Sequence, residues 1–271
     1  MRIIKRFVLV SVMVCVTALS LIPFYMMFIM GTHVTEDLFR GLVILPGRYF
    51  VNNVQTVVRS GLLTYYANSI IVSVISTTLS VFVSALTGYA IAKFRFKFRN
   101  TIFFAILISM MVPAQLGLIA YVIQMRVFGL NNSLIPLILP WIASPFGVFW
   151  MTQMIGSSVP SEIVESGRID GCNEFKIFVR LAIPCFIPAI VTLSMLIFLW
   201  SWNSYMLPMV ILNRPELFTI PVGLARIGDL YRVDHAARIA GLSLGTIPLL
   251  IIFSIGSKSF IRGLTAGAIK E

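Results

Sequence analysis

Charged residues fall along this chain in short islands, and the windows between them are long, apolar and uncharged. No Asp, Glu, Lys or Arg lies between Arg6 and Glu36, Arg59 and Lys93, Arg99 and Arg126, Arg126 and Glu162, Arg180 and Arg214, or Arg238 and Lys258. Each window can supply the roughly 20 apolar residues that cross a bilayer as a helix. They predict six spans, at about 7–30, 65–92, 101–124, 134–155, 189–210 and 239–255. A transmembrane barrel would instead alternate in polarity over segments of roughly ten residues, and these windows do not. The expected fold is all-α and polytopic, one transmembrane domain over residues 1–271. The run from Phe7 to Met30 is too long for a signal-peptide core and shows no small-x-small cleavage pattern, so it reads as an uncleaved first span.

Inside the spans, small residues and prolines shape the packing. Ser80, Ser84, Ala85, Gly88, Ala90 and Ala92 let the second span approach a neighbour closely. Pro113 predicts a kink in the third span, and Pro136, Pro140 and Pro145 interrupt the fourth. Such breaks suit helices that bend around a pathway better than a static anchor.

One polar island, residues 159–184, separates the fourth and fifth spans. It holds Glu162, Glu165, Asp170 and Glu174, so it is built to stay in water. Pro160 and Ser161 signal a helix start, with Ser161 a candidate N-cap and Glu162 and Glu165 near the positive end of the dipole. The helix should break at Asp170-Gly171 and resume after Asn173, with Phe175, Phe178, Val179 and Ala182 on one apolar face before Pro184 and Pro188. The pattern describes a small knob between two spans.

Composition agrees with a membrane protein: hydrophobic residues make up 58%, charged residues 11%, and mean hydropathy is +0.96. Six spans put both termini on one side, and thirteen Lys and Arg on that side against eight on the other place it in the cytoplasm. The net charge of +11 is then met by anionic lipid headgroups, with no nucleic acid required. In the turn Lys93-Phe-Arg-Phe-Lys-Phe-Arg99, basic and aromatic residues alternate, as expected of an interfacial anchor. Of the three cysteines, Cys15 and Cys185 lie in or beside spans and Cys172 in the island, so no structural disulfide is expected.

Chemistry inside the membrane is absent from the sequence pattern. Ion-coupled carriers and intramembrane enzymes place ionisable groups at depth, and all six expected cores lack them. His33 and His235 are far apart in sequence, so neither a metal site nor a catalytic set can be assembled. No Gly-x-x-x-x-Gly-Lys-Ser/Thr phosphate loop occurs, so uphill transport would need energy from another subunit.

The residues Glu165-Ser-Gly-Arg-Ile-Asp170-Gly171, followed by Phe178 and Ile183-Pro184, resemble the Glu-Ala-Ala loop of permease subunits of bacterial ABC importers. Gly88-Tyr-Ala-Ile-Ala-Lys-Phe, Met110-Met-Val-Pro, Phe128-Gly-Leu, Trp202-Asn203 with Pro208, and the tail Gly263-Leu-Thr-Ala-Gly-Ala-Ile-Lys extend the likeness over nearly the whole chain. Together they are similar to carbohydrate-uptake permeases of the MalG type. Ser166-Gly167 stands where that pattern has Ala-Ala, and Cys172 where it has Ala. Glycine for alanine costs a helix interior about 1 kcal/mol.

The resemblance implies a non-catalytic translocation subunit in a bacterial cytoplasmic membrane. The island becomes a cytoplasmic coupling helix in a cleft of a cytosolic ATPase dimer, which holds the ATP and magnesium. Glu162, Glu165, Ser166, Gly167, Asp170, Gly171, Phe175, Phe178 and Pro184 make up that coupling loop, with Phe175 and Phe178 as apolar anchors. Gly263, Leu264, Thr265, Gly267 and Lys270, in the tail 256–271, reach between the ATPase subunits. A second homologous permease and an extracytoplasmic solute-binding protein complete the system, and the solute is a sugar or oligosaccharide. Trp202, Asn203 and Tyr205 are candidates for the substrate path, although aromatic residues near a span end also form interfacial belts. The rival readings are an ion-coupled carrier or channel, and a membrane scaffold or intramembrane enzyme.

Overall fold

The computed structural model describes residues 2–228 and 233–266, with all their side chains except those of residues 2–4, 259 and 262–266. Among the described residues the chain is helical, with no named strand. By length and apolar composition, Lys5–Met30, Leu62–Lys93, Ile135–Ser158 and His235–Lys258 can each cross a membrane. Two further pairs, Arg99–Met111 with Ala114–Val127 and Glu174–Cys185 with Ile187–Trp202, do so if each is one span, and each bends by 84°. The chain forms two compact units, Met1–Tyr66 with Ile220–Pro248, and Ala67–Thr219 with Leu249–Glu271.

The first unit contains α1 (Arg2–Met30), α2 (Thr35–Arg40), α3 (Phe50–Arg59) and the start of α4 (Leu62–Lys93). Residues 5–25 of α1 are exposed throughout and almost wholly apolar, as befits a helix with lipid or another subunit around it. The chain then leaves helical geometry, and its backbone groups find partners in side chains. Asn53, buried on α3, donates from Nδ2 to the carbonyls of Gly31 at 2.9 Å and His33 at 2.8 Å. Asn53→Ala leaves the buried Gly31 carbonyl and the part-buried His33 carbonyl without this donor, which is expected to cost about 1–3 kcal/mol. Thermal unfolding of the full chain reads this loss, and an unchanged midpoint would count against it.

The second unit carries most of the spans. It holds the rest of α4, then α5 (Arg99–Met111), α6 (Leu118–Val127), α7 (Ile135–Ile142) and α8 (Pro145–Ser158). Where a kink was expected at Pro113 the structure has a full break: Val112 is extended, and a 3-10 turn at Ala114–Gly117 leads into α6. The fourth span divides at Ala143-Ser144, and Ser144 caps α8 by accepting from the Gly147 N–H at 3.1 Å. Pro145 fits there because the first helical position needs no N–H donor. On α4, Ser69, Ser73, Ser76, Ser80 and Ser84 form a buried stripe at helical spacing. Trp150 Nε1 donates to the Ala189 carbonyl at 3.1 Å, tying α8 to the following span.

The polar island forms α9 (Ser161–Ile169) and α10 (Glu174–Ile177), and α11 (Ile183–Cys185), α12 (Ile187–Trp202) and α13 (Met206–Ile211) follow. The fifth span was expected over 189–210; instead α12 stops at Trp202, where the Asn203 side chain donates back to the Leu199 carbonyl at 2.8 Å. Then α14 (Ile220–Ala225) and α15 (His235–Gly245) lead to α16 (Ile247–Ala266). His235 opens α15, whose first turn is capped by Asp234 accepting from the Ala237 N–H at 3.0 Å. The expected inner tail from 256 is helical as far as Ala266.

Candidate functional site: the knob between two spans

Residues 159–184 fold as two short helical pieces with opposed faces. Helix α9 starts one residue earlier than the capping expectation: Pro160 is the N-cap residue and Ser161 is already helical, with no side-chain cap bond. Glu162 lies in the first turn, where the dipole favours it. Val164 and Gly167 turn inward, while Glu162, Glu165, Ser166 and Ile169 turn outward. A Cβ at Gly167 would meet Leu181 Cδ1 at 2.8 Å and Ile177 Cγ1 at 3.0 Å, so glycine here brings α9 close to the segment that follows. Leu181 Cδ1 is the tip of a flexible side chain, but Ile177 is fully buried and its Cγ1 sits close to its own backbone, so an alanine would require both side chains to shift.

The break at Asp170-Gly171 is a Schellman turn. Gly171 adopts φ +72°, its N–H donates to the Arg168 carbonyl at 3.1 Å, and the Cys172 N–H donates to the Gly167 carbonyl at 3.0 Å. Asn173 Oδ1 then accepts from the Lys176 N–H at 2.8 Å and starts α10. Across the turn, Arg168 Nε donates to Glu174 Oε1 at 2.6 Å. That hydrogen bond pushes the guanidinium pKa up and keeps it charged. Arg168 also stands 5.6 Å over the Phe94 ring. Both partners are 41% exposed, so a double-mutant cycle of Arg168→Gln and Glu174→Gln is expected to give a coupling below about 1 kcal/mol in thermal melts. A coupling well above that would mean the turn depends on this ion pair.

The knob is seated by apolar burial. Ile177, Phe178, Ala182 and Phe186 pack with Tyr89 of α4 and with Met151, Met154 and Ile155 of α8. The Phe178 ring lies 5.1 Å from Tyr89 and 6.4 Å from Phe186, centroid to centroid. Lys93 Nζ donates to the Val159 carbonyl at 2.5 Å and secures the C-terminal end of α8. The four-residue face expected from Phe175, Phe178, Val179 and Ala182 does not form. Residues Phe178–Ala182 make a π turn, so Phe178 and Ala182 point inward with Ile177, while Phe175 and Val179 stay exposed. Phe178 is therefore spent on seating the knob and is not offered to a partner as expected.

The outward surface joins Glu162, Glu165, Ser166 and Asp170 to two exposed apolar side chains, Phe175 and Ile169. Ile169, 86% exposed at the tip, was missed in the sequence reading, although it follows Glu162 and Glu165 at spacings of seven and four on one helical face. The Arg168 and Glu174 pair was also missed, and opposite charges on either side of Gly171 were its signal. Pro184 is exposed in the first turn of α11. Gly263, Leu264 and Thr265 lie on the backbone of α16, while Gly267 and Lys270 fall outside the described residues. Trp202 is buried against Phe198, ring centroids 5.5 Å apart, whereas Asn203 and Tyr205 beyond the end of α12 are exposed.

Residues 80–266, from the middle of α4 through the knob to the end of α16, match the family described as binding-protein-dependent transport system inner membrane component. The chain belongs to this family. The membrane component is 36% identical over 206 residues to the arabinooligosaccharides transport system permease protein AraQ of Bacillus subtilis strain 168, covering 76% of this chain and 73% of that protein. It is 28% identical over 260 residues to the lactose transport system permease protein LacG of Rhizobium radiobacter, covering 96% and 94%. Its fold is that of a chain in the crystal structure of a bacterial ABC transporter involved in the import of the acidic polysaccharide alginate, with TM-score 0.78, 24% identity, and 93% and 95% of the two chains covered. For this membrane component the ion-coupled reading has no support, and transport as part of a binding-protein-dependent system stands.

Proposed function

We propose that this chain is one of two homologous permease subunits of an ATP-driven importer for an oligosaccharide or a similar hydroxyl-rich solute. Both termini and the knob face the cytoplasm, where α9 seats in a cleft of an ATPase dimer that carries the ATP and magnesium. An external binding protein delivers the solute. The observation that carries this reading is the opposed burial of the knob: Ile177 and Phe178 are locked into the spans, while Glu162, Glu165, Ile169 and Phe175 are left outward. A push on that outer face passes through Phe178 to α4 and through the packed side chains of Met151 and Ile155 to α8. In this reading Gly171 permits the turn and Glu165 makes the polar contact to the cleft. The segment around Gly263, Leu264, Thr265, Gly267 and Lys270 contacts the ATPase pair.

The solute class rests on the relatives, whose names specify arabinooligosaccharides, lactose, starch degradation products and galactooligosaccharides. Asn203 and Tyr205, both exposed, are the candidates for touching solute, and Trp202, which precedes them, is buried. The test is uptake of a panel of labelled oligosaccharides into vesicles holding the assembled transporter. Uptake should require internal ATP and survive collapse of the proton gradient. Uptake that persists without ATP and stops on collapse of the gradient would restore an ion-coupled carrier.

A further inference from the structure

Arg95, Lys97 and Arg99 crowd the short turn between α4 and α5, and none of them has a carboxylate partner among the described residues. Their remaining contacts are weak: Arg99 Nη1 lies 3.5 Å from the Phe94 carbonyl and Lys97 Nζ stands 5.1 Å over the Phe98 ring. Arg95, Phe96, Phe98, Arg99, Asn100 and Thr101 line an open depression of about 540 Å³. The first turn of α5 contains no acidic residue and no side chain caps it.

The turn joins the ends of two membrane-spanning segments, so it lies where lipid headgroups meet water. Phe96 and Phe98 are exposed beside the cations, and farther along α5 Phe104 and Ile108, one helical turn apart, are exposed too. A free anion such as phosphate would use only the cations. A phospholipid uses both, since its phosphate meets the arginines and its chains meet the apolar side of α5. We propose that residues 94–101 form a site for an anionic phospholipid, with the headgroup phosphate on Arg95 and Arg99, Lys97 at the rim, and an acyl chain against Phe104 and Ile108. The neighbouring residues Lys93 and Phe94 grip the knob, so the lipid is held by the same turn that holds α8 and α9.

The test is native mass spectrometry of the full chain released from micelles, titrated with dioleoylphosphatidylglycerol or dioleoylphosphatidylcholine. Wild type should retain phosphatidylglycerol in preference to phosphatidylcholine. Arg95→Gln/Lys97→Gln/Arg99→Gln should weaken that retention by roughly fivefold per lost cation, on the order of a hundredfold in all. Lys97→Glu, a single change at an exposed position, should weaken it at least roughly fivefold. Arg40→Gln/Arg48→Gln/Arg214→Gln, which removes as much charge elsewhere, should leave it unchanged. The proposal fails if the first two variants bind like wild type, if the distant control loses as much, or if inorganic phosphate at equal concentration displaces the lipid.

Discussion

Gly88→Leu is expected to break the contact between α4 and α8 and to lower the stability of the membrane component by about 3 kcal/mol or more. A Cβ at position 88 would lie 2.7 Å from Met151 Cβ, 2.8 Å from the Thr152 backbone nitrogen and 2.9 Å from the Met151 carbonyl carbon. Two of these three atoms are backbone, so no rotamer change on α8 can make room. Overpacking ordinarily costs about 1–3 kcal/mol, and a leucine facing a fixed helix falls at or above the upper end. Gly88→Ala should show a smaller loss of the same sign. Thermal unfolding in detergent, followed by loss of monodisperse protein, reads both. A Gly88→Leu protein that melts with the wild type would mean that the two helices are not in close contact.

Phe178→Ala is expected to unseat the knob, with a local loss of about 3–5 kcal/mol. The ring is almost fully buried between Tyr89 and Phe186, and truncation leaves a cavity under both pieces of the knob. Hydrogen exchange should then show residues 161–182 losing protection while α8 keeps its own. Phe175→Ala is the matched control, because that ring is 63% exposed and its removal should leave exchange unchanged. If Phe175→Ala loosens the knob and Phe178→Ala does not, the inward and outward faces have been assigned the wrong way round.

The spans were legible because charge marks the ends of membrane helices, and Arg59, Lys93, Arg99 and Arg126 do lie at or beside helix ends. Punctuation by single residues was also legible: Pro113 and Pro145 break their spans, and Asp170-Gly171 ends α9 in the left-handed turn that glycine allows. The end of α12 at Trp202 was not, since Asn203 and Ser204 sit in a run that stays apolar to Val210. The stop coincides with an amide turning back on its own helix, a local bond that hydropathy does not register.

The apolar face of the knob was misread for a comparable reason. Periodicity assumes 3.6 residues per turn, and the π turn at Phe178–Ala182 adds a residue, which brings Ile177 into the seat and leaves Phe175 and Val179 outside. The loop motif was recognisable residue by residue, but which of its side chains hold the knob in place and which remain free is decided by tertiary packing.

The central claim is that the outer face of the knob receives the work of ATP hydrolysis, and one measurement bears on it most directly. The chain is reconstituted with its partner permease and ATPase, and hydrolysis stimulated by the binding protein is compared between wild type and Glu165→Ala/Gly171→Pro. Proline fixes φ near −65° where Gly171 has +72°, and alanine removes the outward carboxylate, so both the turn and its polar contact are lost. The account predicts that stimulation collapses while the subunits still insert and assemble. Stimulated hydrolysis at the wild-type rate in the assembled variant would contradict it, and the knob would be only a connection between two spans.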